Sequence, residues 1–200
     1  MNEKAFNPAA TKPKEEFVGT NRPPSNPFPG LKVIPKEGLS RWHNLMITNL
    51  TIAVGSRLKG HKNEVYINGM RVKLKDNYIC YPDVIVVSGE PVFSDGNSEL
   101  LQNPTVVIEI VSNTTNPTLK SQKLESYLAM DSIKECLFVK ADEFRVEHYS
   151  KQSPKQWIYK IYNEREDVIS MDSVACKVSM SEVYSNINLG SAAISSTAVN

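Results

Sequence analysis

The sequence predicts an α/β fold in which helices flank a central mixed β-sheet and an antiparallel meander follows near the C-terminus. Three observations lead there. Thr105 to Val111 is almost unbroken Val and Ile, the signature of a strand buried on both faces. A helix-period segment follows it and leads into a second apolar run, Glu135 to Lys140. Beyond that, short period-two segments succeed one another as an up-and-down sheet requires.

Residues 1–39 hold most of the prolines, including Pro23-Pro24, Pro27, Pro29 and Pro35, and read as a poorly ordered or extended arm. The domain is expected to begin near Ser40 and run to residue 189, with a Ser/Ala-rich flexible tail over 190–200. Ser40 is a suitable N-cap, and Trp42, Leu45, Met46, Asn49, Leu50, Ala53 and Val54 fall at helical spacing, which predicts an amphipathic helix to about Leu58. Glu64 to Ile67, Met70 to Lys75 and Ile79 to Ser88 have strand character and are separated by Asn68-Gly69 and Asp76-Asn77. Asn-Gly between two such runs signals a hairpin, because both residues tolerate positive φ. Gly89 to Asn103, rich in Ser, Asp, Gly and Asn, reads as a loop.

Pro117 or Thr118 starts the next helix, which runs to about Met130 with Leu119, Lys123, Leu124, Tyr127 and Leu128 down one side. Strand, helix and strand in this order describe a right-handed crossover between parallel strands. Arg145 to Tyr149, Gln156 to Tyr162 and Asp167 to Ser170 form the expected meander, and Ser181 to Tyr184 a last short helix.

At 200 residues the chain is long enough for one core. Its longest apolar runs are far short of the roughly 20 residues that span a bilayer, and Met1 to Lys4 lacks a signal-peptide character, so no membrane partner and a cytoplasmic location are expected. Cys80, Cys136 and Cys176 are widely spaced and read as buried reduced thiols. The net charge of +1 gives no global case for nucleic acid. The one local excess is Arg57, Lys59, Lys62, Arg71, Lys73 and Lys75, for which a solvated edge hairpin is a commoner explanation than a phosphate contact.

Two acidic residues stand where stability alone would not put them. Asp83 heads the apolar run Val84 to Val87, and Glu109 lies between Ile108 and Ile110. A buried carboxylate costs several kcal/mol unless a cation or hydrogen bonds offset the loss of water. Asp83 alone reads equally well as a solvated strand-end residue, and Glu109 could belong to a buried Glu–Arg pair. If adjacent strands bring the two together, their repulsion asks for a divalent cation, and oxygen-only ligands suit Mg²⁺ or Mn²⁺ rather than Zn²⁺. Lys123, on the following helix, reads on its own as a snorkelling surface lysine.

Three segments change its weight. Pro82-Asp83-Val84-Ile85-Val86-Val87, Asn103 to Ser112 and Lys123-Leu124-Glu125-Ser126-Tyr127 together resemble a bacterial family of restriction endonuclease-like proteins of the Uma type, within the PD-(D/E)XK superfamily. The resemblance extends through Ser132 to Val139, Val146 to Tyr149, Trp157 and Ser181 to Tyr184, and His43-Asn44 with Asn49-Leu50 matches the first core helix. It implies a restriction-endonuclease-like core over roughly 40–186. Asp83 and Glu109 would be metal ligands, with the Ile110 carbonyl as a third. The usual E-x-K lysine position holds Val111, and the resemblance moves that lysine to Lys123. The implied function is Mg²⁺-dependent hydrolysis of DNA phosphodiester bonds, with Mn²⁺ as a substitute metal and a homodimer expected if two strands are cut by chains with one centre each. The chain departs from the family in Ser112-Asn113-Thr114-Thr115 and in Leu119 at an acidic position, which motivates the alternative of a catalytically impaired module that binds nucleic acid or protein. His43 is expected as a helix-capping or core-edge imidazole rather than a catalytic base, and His148 as an exposed meander residue without a role.

Overall fold

The computed structural model describes residues 28–36, 40–94, 96 and 98–189. Its elements in chain order are β1 (Lys32–Val33), α1 (Arg41–Leu58), β2 (Asn63–Ile67), β3 (Arg71–Lys73), β4 (Tyr78–Cys80), β5 (Val84–Ser88), β6 (Leu100–Leu101), β7 (Val106–Val111), α2 (Pro117–Leu128), β8 (Glu135–Lys140), β9 (Val146–Ser153), β10 (Gln156–Tyr162), β11 (Val168–Met171), β12 (Cys176–Ser179) and α3 (Met180–Val183). The main sheet has the order β10-β9-β8-β7-β5-β2, antiparallel throughout except for the parallel β7–β8 pair that α2 connects. This is the α/β architecture with a mixed central sheet that the sequence predicts.

β7 lies inside that sheet, so both its faces are covered and all six of its residues are buried. Val106, Ile108 and Ile110 join the core that α1 covers, with Met46, Leu50 and Val54. Val107 and Val111 join the opposite core, with Tyr127 of α2. Glu109 shares their parity and therefore faces the α2 side.

α1 begins where expected, because the Ser40 side chain accepts the His43 N–H at 3.1 Å. Its buried stripe differs in phase from the predicted one. His43, Met46, Ile47, Leu50, Ala53, Val54 and Leu58 are buried, whereas Trp42, Leu45 and Asn49 stay partly exposed. α2 is capped by Asn116, whose Oδ1 accepts the Thr118 N–H, and Pro117 opens its first turn, where no N–H is needed.

The hairpin expected at Asn68-Gly69 does not form. β2 pairs with β5 in the main sheet, while β3 pairs with β4 and β6 in a second sheet of order β1-β4-β3-β6. Gly69, at φ 122°, turns the chain from one sheet to the other. The tight hairpin is the next turn, where Asp76 and Asn77 take φ 58° and 60° between β3 and β4. The basic stretch is consequently spread over the end of α1, the connection to β2, and β3, with Arg57 paired to Glu182 and Arg71 to Glu99.

The single strand expected over Ile79 to Ser88 is broken into β4 and β5 by Tyr81-Pro82-Asp83, because proline has no N–H with which to continue a ladder. β6 lies within the predicted loop Gly89 to Asn103. Residues 28–36 of the expected arm are packed: β1 pairs with β4, and Ile34 is buried. The rest of that arm and the tail over 190–200 lie outside the described residues.

The meander holds through β8, β9 and β10, but β11 leaves it to pair with β12 in a two-stranded sheet. His148 is corrected from exposed to buried, with Nε2 2.7 Å from Glu135 Oε2. β9 lies between β8 and β10, and Tyr162 of β10 stacks on the His148 ring, closing it from water. α3 carries a capping box of Ser179 and Glu182, and the hydroxyl of Tyr184 beyond it accepts the Arg145 N–H. The three cysteines are free and buried.

Candidate active site

β5 and β7 pair in a register that sets Val84 opposite Ile108. Asp83 directly precedes Val84 and Glu109 directly follows Ile108, so the two acids stand side by side at the end of this pairing. Pro82 ends the regular ladder here, and an Asp83 side chain takes over: its Oδ2 accepts the Ile110 N–H at 2.7 Å. Both carboxylates are buried, Asp83 at 1% exposure and Glu109 at 3%.

Each has its own cation. Lys36 Nζ lies 2.6 Å from Asp83 Oδ1, and His43 Nε2 lies 3.0 Å from the same oxygen. Lys123 Nζ donates to Glu109 Oε2 at 2.9 Å, and the Tyr127 hydroxyl, one helical turn on, donates to Glu109 Oε1. Cys80 Sγ contacts the Tyr127 oxygen at 3.4 Å.

These contacts push the two carboxyls in opposite directions. Burial works to raise the Asp83 carboxyl, but hydrogen bonds from His43 and Lys36 outweigh it and hold the group below its ordinary range. Burial raises the Glu109 carboxyl, with Lys123 opposing the shift and the Asp83 charge reinforcing it. The Lys123 ammonium loses water on burial, yet Glu109 more than compensates and its pKa is raised. The Tyr127 hydroxyl is pushed well above its ordinary value by burial and by the neighbouring Cys80 and Glu109.

A pocket opens on these groups, lined by Lys36, Asp83, Glu109, Ile110, Leu119, Lys120 and Lys123 with Phe138 behind. Lys120 lies 5.1 Å from the centre of the Phe138 ring and reaches Glu147 at 2.8 Å.

Residues 32–181 match the family Uma2, described as "Putative restriction endonuclease". The chain belongs to the Uma2 family. It is 30% identical over 128 residues to the uncharacterized protein sll1609 of Synechocystis sp., covering 64% of this chain and 72% of that one. Its fold resembles a crystal structure described as a putative nuclease belonging to DUF820 from Anabaena variabilis, with TM-score 0.62 at 18% identity over 75% of this chain and 84% of that chain.

For this Uma2 chain the structure brings Asp83, Glu109, Ile110 and Lys123 together at one pocket. Lys36 was missed. Nothing in the Pro-rich arm distinguishes Pro35-Lys36 from a solvated linker, and only the pairing of β1 with β4 carries Lys36 to Asp83. His43 is expected as a capping or core-edge imidazole, and it is instead buried with Nε2 3.0 Å from Asp83 Oδ1. A signal for it existed: His43, Met46, Ile47, Leu50 and Val54 share one helical stripe, and a histidine in a buried stripe needs a polar partner.

The oxygen donors at the pocket are suited to a hard divalent cation. Ile110 donates its N–H to Asp83, and because a strand residue's N–H and C=O project to the same edge, its carbonyl faces the same side. Two carboxylates and one carbonyl are oxygen donors of the kind Mg²⁺ takes, with water or phosphate completing the shell. Among the described residues there is no cluster of three or more His, Cys, Asp and Glu that could hold a metal alone. The residues fit a cation shared with a phosphate better than a closed structural site.

Proposed function

We propose that this chain is a divalent-metal-dependent endonuclease that hydrolyses DNA phosphodiester bonds. The observation that carries the reading is that two buried carboxylates, Asp83 and Glu109, line one pocket together with Lys36, Lys120 and Lys123. Membership of a family described as "Putative restriction endonuclease" supports it.

Asp83, Glu109 and the Ile110 carbonyl would hold Mg²⁺, or Mn²⁺ in its place. When bound, such an ion supplies Lewis-acid polarisation of a phosphoryl oxygen and acidification of a water molecule. The chain's own part is positioning and charge. Ile110 fixes the Asp83 rotamer through its N–H, and Tyr127 fixes Glu109. Lys123 is a cation held on a helix beside the reacting centre, suited to stabilise the negative charge that builds on a phosphate oxygen. Lys120, at the pocket wall, offers a second contact for a backbone phosphate. Two copies acting together account for cleavage of both strands, and the chain is read as cytoplasmic; among the described residues no helix is long and apolar enough to cross a membrane.

The test is nicking of supercoiled plasmid in Mg²⁺, Mn²⁺ or chelator, comparing wild type with Asp83→Asn and Glu109→Gln. Nicking that requires metal and both carboxylates is expected; equal nicking by all three proteins would falsify the assignment. A second reading, a nuclease fold that binds nucleic acid without cutting it, is favoured by one observation. Both carboxylates already have protein cations, and the apolar Leu119 lines the pocket beside them. Metal-independent retention of DNA without nicking identifies it.

A further inference from the structure

Asp83 Oδ1 has two nitrogen neighbours, and they differ in kind. His43 is buried on the inner stripe of α1. Its Nδ1 has no hydrogen-bond partner among the described residues, so Nε2 is the ring atom that serves Asp83, and the imidazole has nowhere else to turn. Lys36 is a flexible side chain, 19% exposed, on the segment after β1. Its ammonium also donates to Asn68 Oδ1 at 2.8 Å, at the exposed end of β2. It therefore has a second acceptor to rest on when it leaves the carboxylate.

The charges around the pocket are balanced pairwise, Asp83 by Lys36 and Glu109 by Lys123. A neutral set of four groups offers a dication little net attraction. An ammonium 2.6 Å from Oδ1 also occupies the space in which a ligated cation would sit, and the two positive charges repel. Lys123 does not stand in the way equally. It is 11% exposed, anchored on α2, and bound to the oxygen of a different carboxylate.

We propose that Lys36 is a built-in cation that occupies Asp83 Oδ1 until a divalent ion displaces it, so that this lysine sets the metal affinity of the site. The inference rests on the metal-dependent reading of Asp83 and Glu109 and adds to it a competitor from the N-terminal segment. After displacement Lys36 keeps its hydrogen bond to Asn68.

The experiment is calorimetric titration of Mn²⁺ into full-length wild type, Lys36→Met and Lys36→Gln, with thermal melts in chelator and in Mn²⁺. The expected result is a Kd at least about tenfold lower in both variants, the order expected when a close like charge leaves a partly buried site. The metal-free variants should melt lower than wild type, because Asp83 loses its ion pair, and Mn²⁺ should raise their melting temperature by more than it raises that of wild type. Lys36→Gln keeps a donor for Asp83 and Asn68 without the charge, so the titration stands even if Lys36→Met folds poorly. Mn²⁺ affinity that is unchanged or weaker in the variants, yet abolished by Asp83→Asn, overturns the role of Lys36 and leaves the metal site intact. If neither wild type nor the variants bind Mn²⁺, the metal-dependent reading falls and this inference falls with it.

Discussion

Asp83 Oδ2 accepts the Ile110 N–H at 2.7 Å, a rung of the β5–β7 ladder made by a side chain. The proline before Asp83 ends the regular pairing, and the carboxylate satisfies an amide that would otherwise be buried without an acceptor. The same carboxylate faces Lys36 and His43. Structure and candidate chemistry thus share one group.

The two obvious replacements of Asp83 should consequently separate. Asp83→Ala strips the acceptor from Ile110, Lys36 and His43 together and should cost roughly 3–5 kcal/mol, the range for breaking a buried ion pair. Asp83→Asn keeps an oxygen for the Ile110 N–H and should cost no more than about half of that. Urea unfolding of both variants measures the difference; equal losses would show that the Ile110 bond contributes nothing.

Glu109 and Lys123 should be strongly coupled. Glu109→Gln alone leaves an ammonium 11% exposed without its counter-charge, and Lys123→Met alone leaves a buried carboxylate without a cation. Each single change should destabilise by about 2–4 kcal/mol, whereas the double variant Glu109→Gln/Lys123→Met should lose less than the sum. A double-mutant cycle with a coupling energy near zero contradicts the ion pair. Nicking should be lost in all three.

Acid stability carries the imprint of Asp83. Its carboxyl is held below the ordinary range by His43 and Lys36 against the effect of burial. Its contribution is therefore complete above the ordinary aspartate pKa of about 3.9 and is lost as pH falls through the lower folded value. Glu109, raised by burial, works the other way: keeping it ionised costs stability as pH climbs above the ordinary glutamate value of about 4.3. In Asp83→Asn the fall of the urea midpoint as pH drops below the ordinary aspartate value should be shallower than in wild type. An unchanged slope would remove Asp83 from the acid transition.

By itself the sequence determined the order of elements around the site. Ser40 and Pro117 mark helix starts through chemistry confined to one turn, and the unbroken apolar run of β7 betrays a strand covered on both faces. Glu109 was legible for the same local reason, since a carboxylate in such a run demands a partner. What tertiary structure decided was which distant segments meet. Asn68-Gly69 looked like a hairpin, but the competing sheet edges of β4 and β5 each took one of its flanking strands. The β5–β7 pairing that brings Asp83 beside Glu109 is closed across the long segment from Gly89 to Thr105, and local propensity does not reach across such a distance. Lys36 reaches Asp83 only because β1 pairs with β4, a contact between residues 46 apart, as Lys32 faces Tyr78. Asp83, Glu109 and Lys123 were visible one by one as residues; the cations that balance the two carboxylates, and the pocket they share, exist only once the sheet has closed.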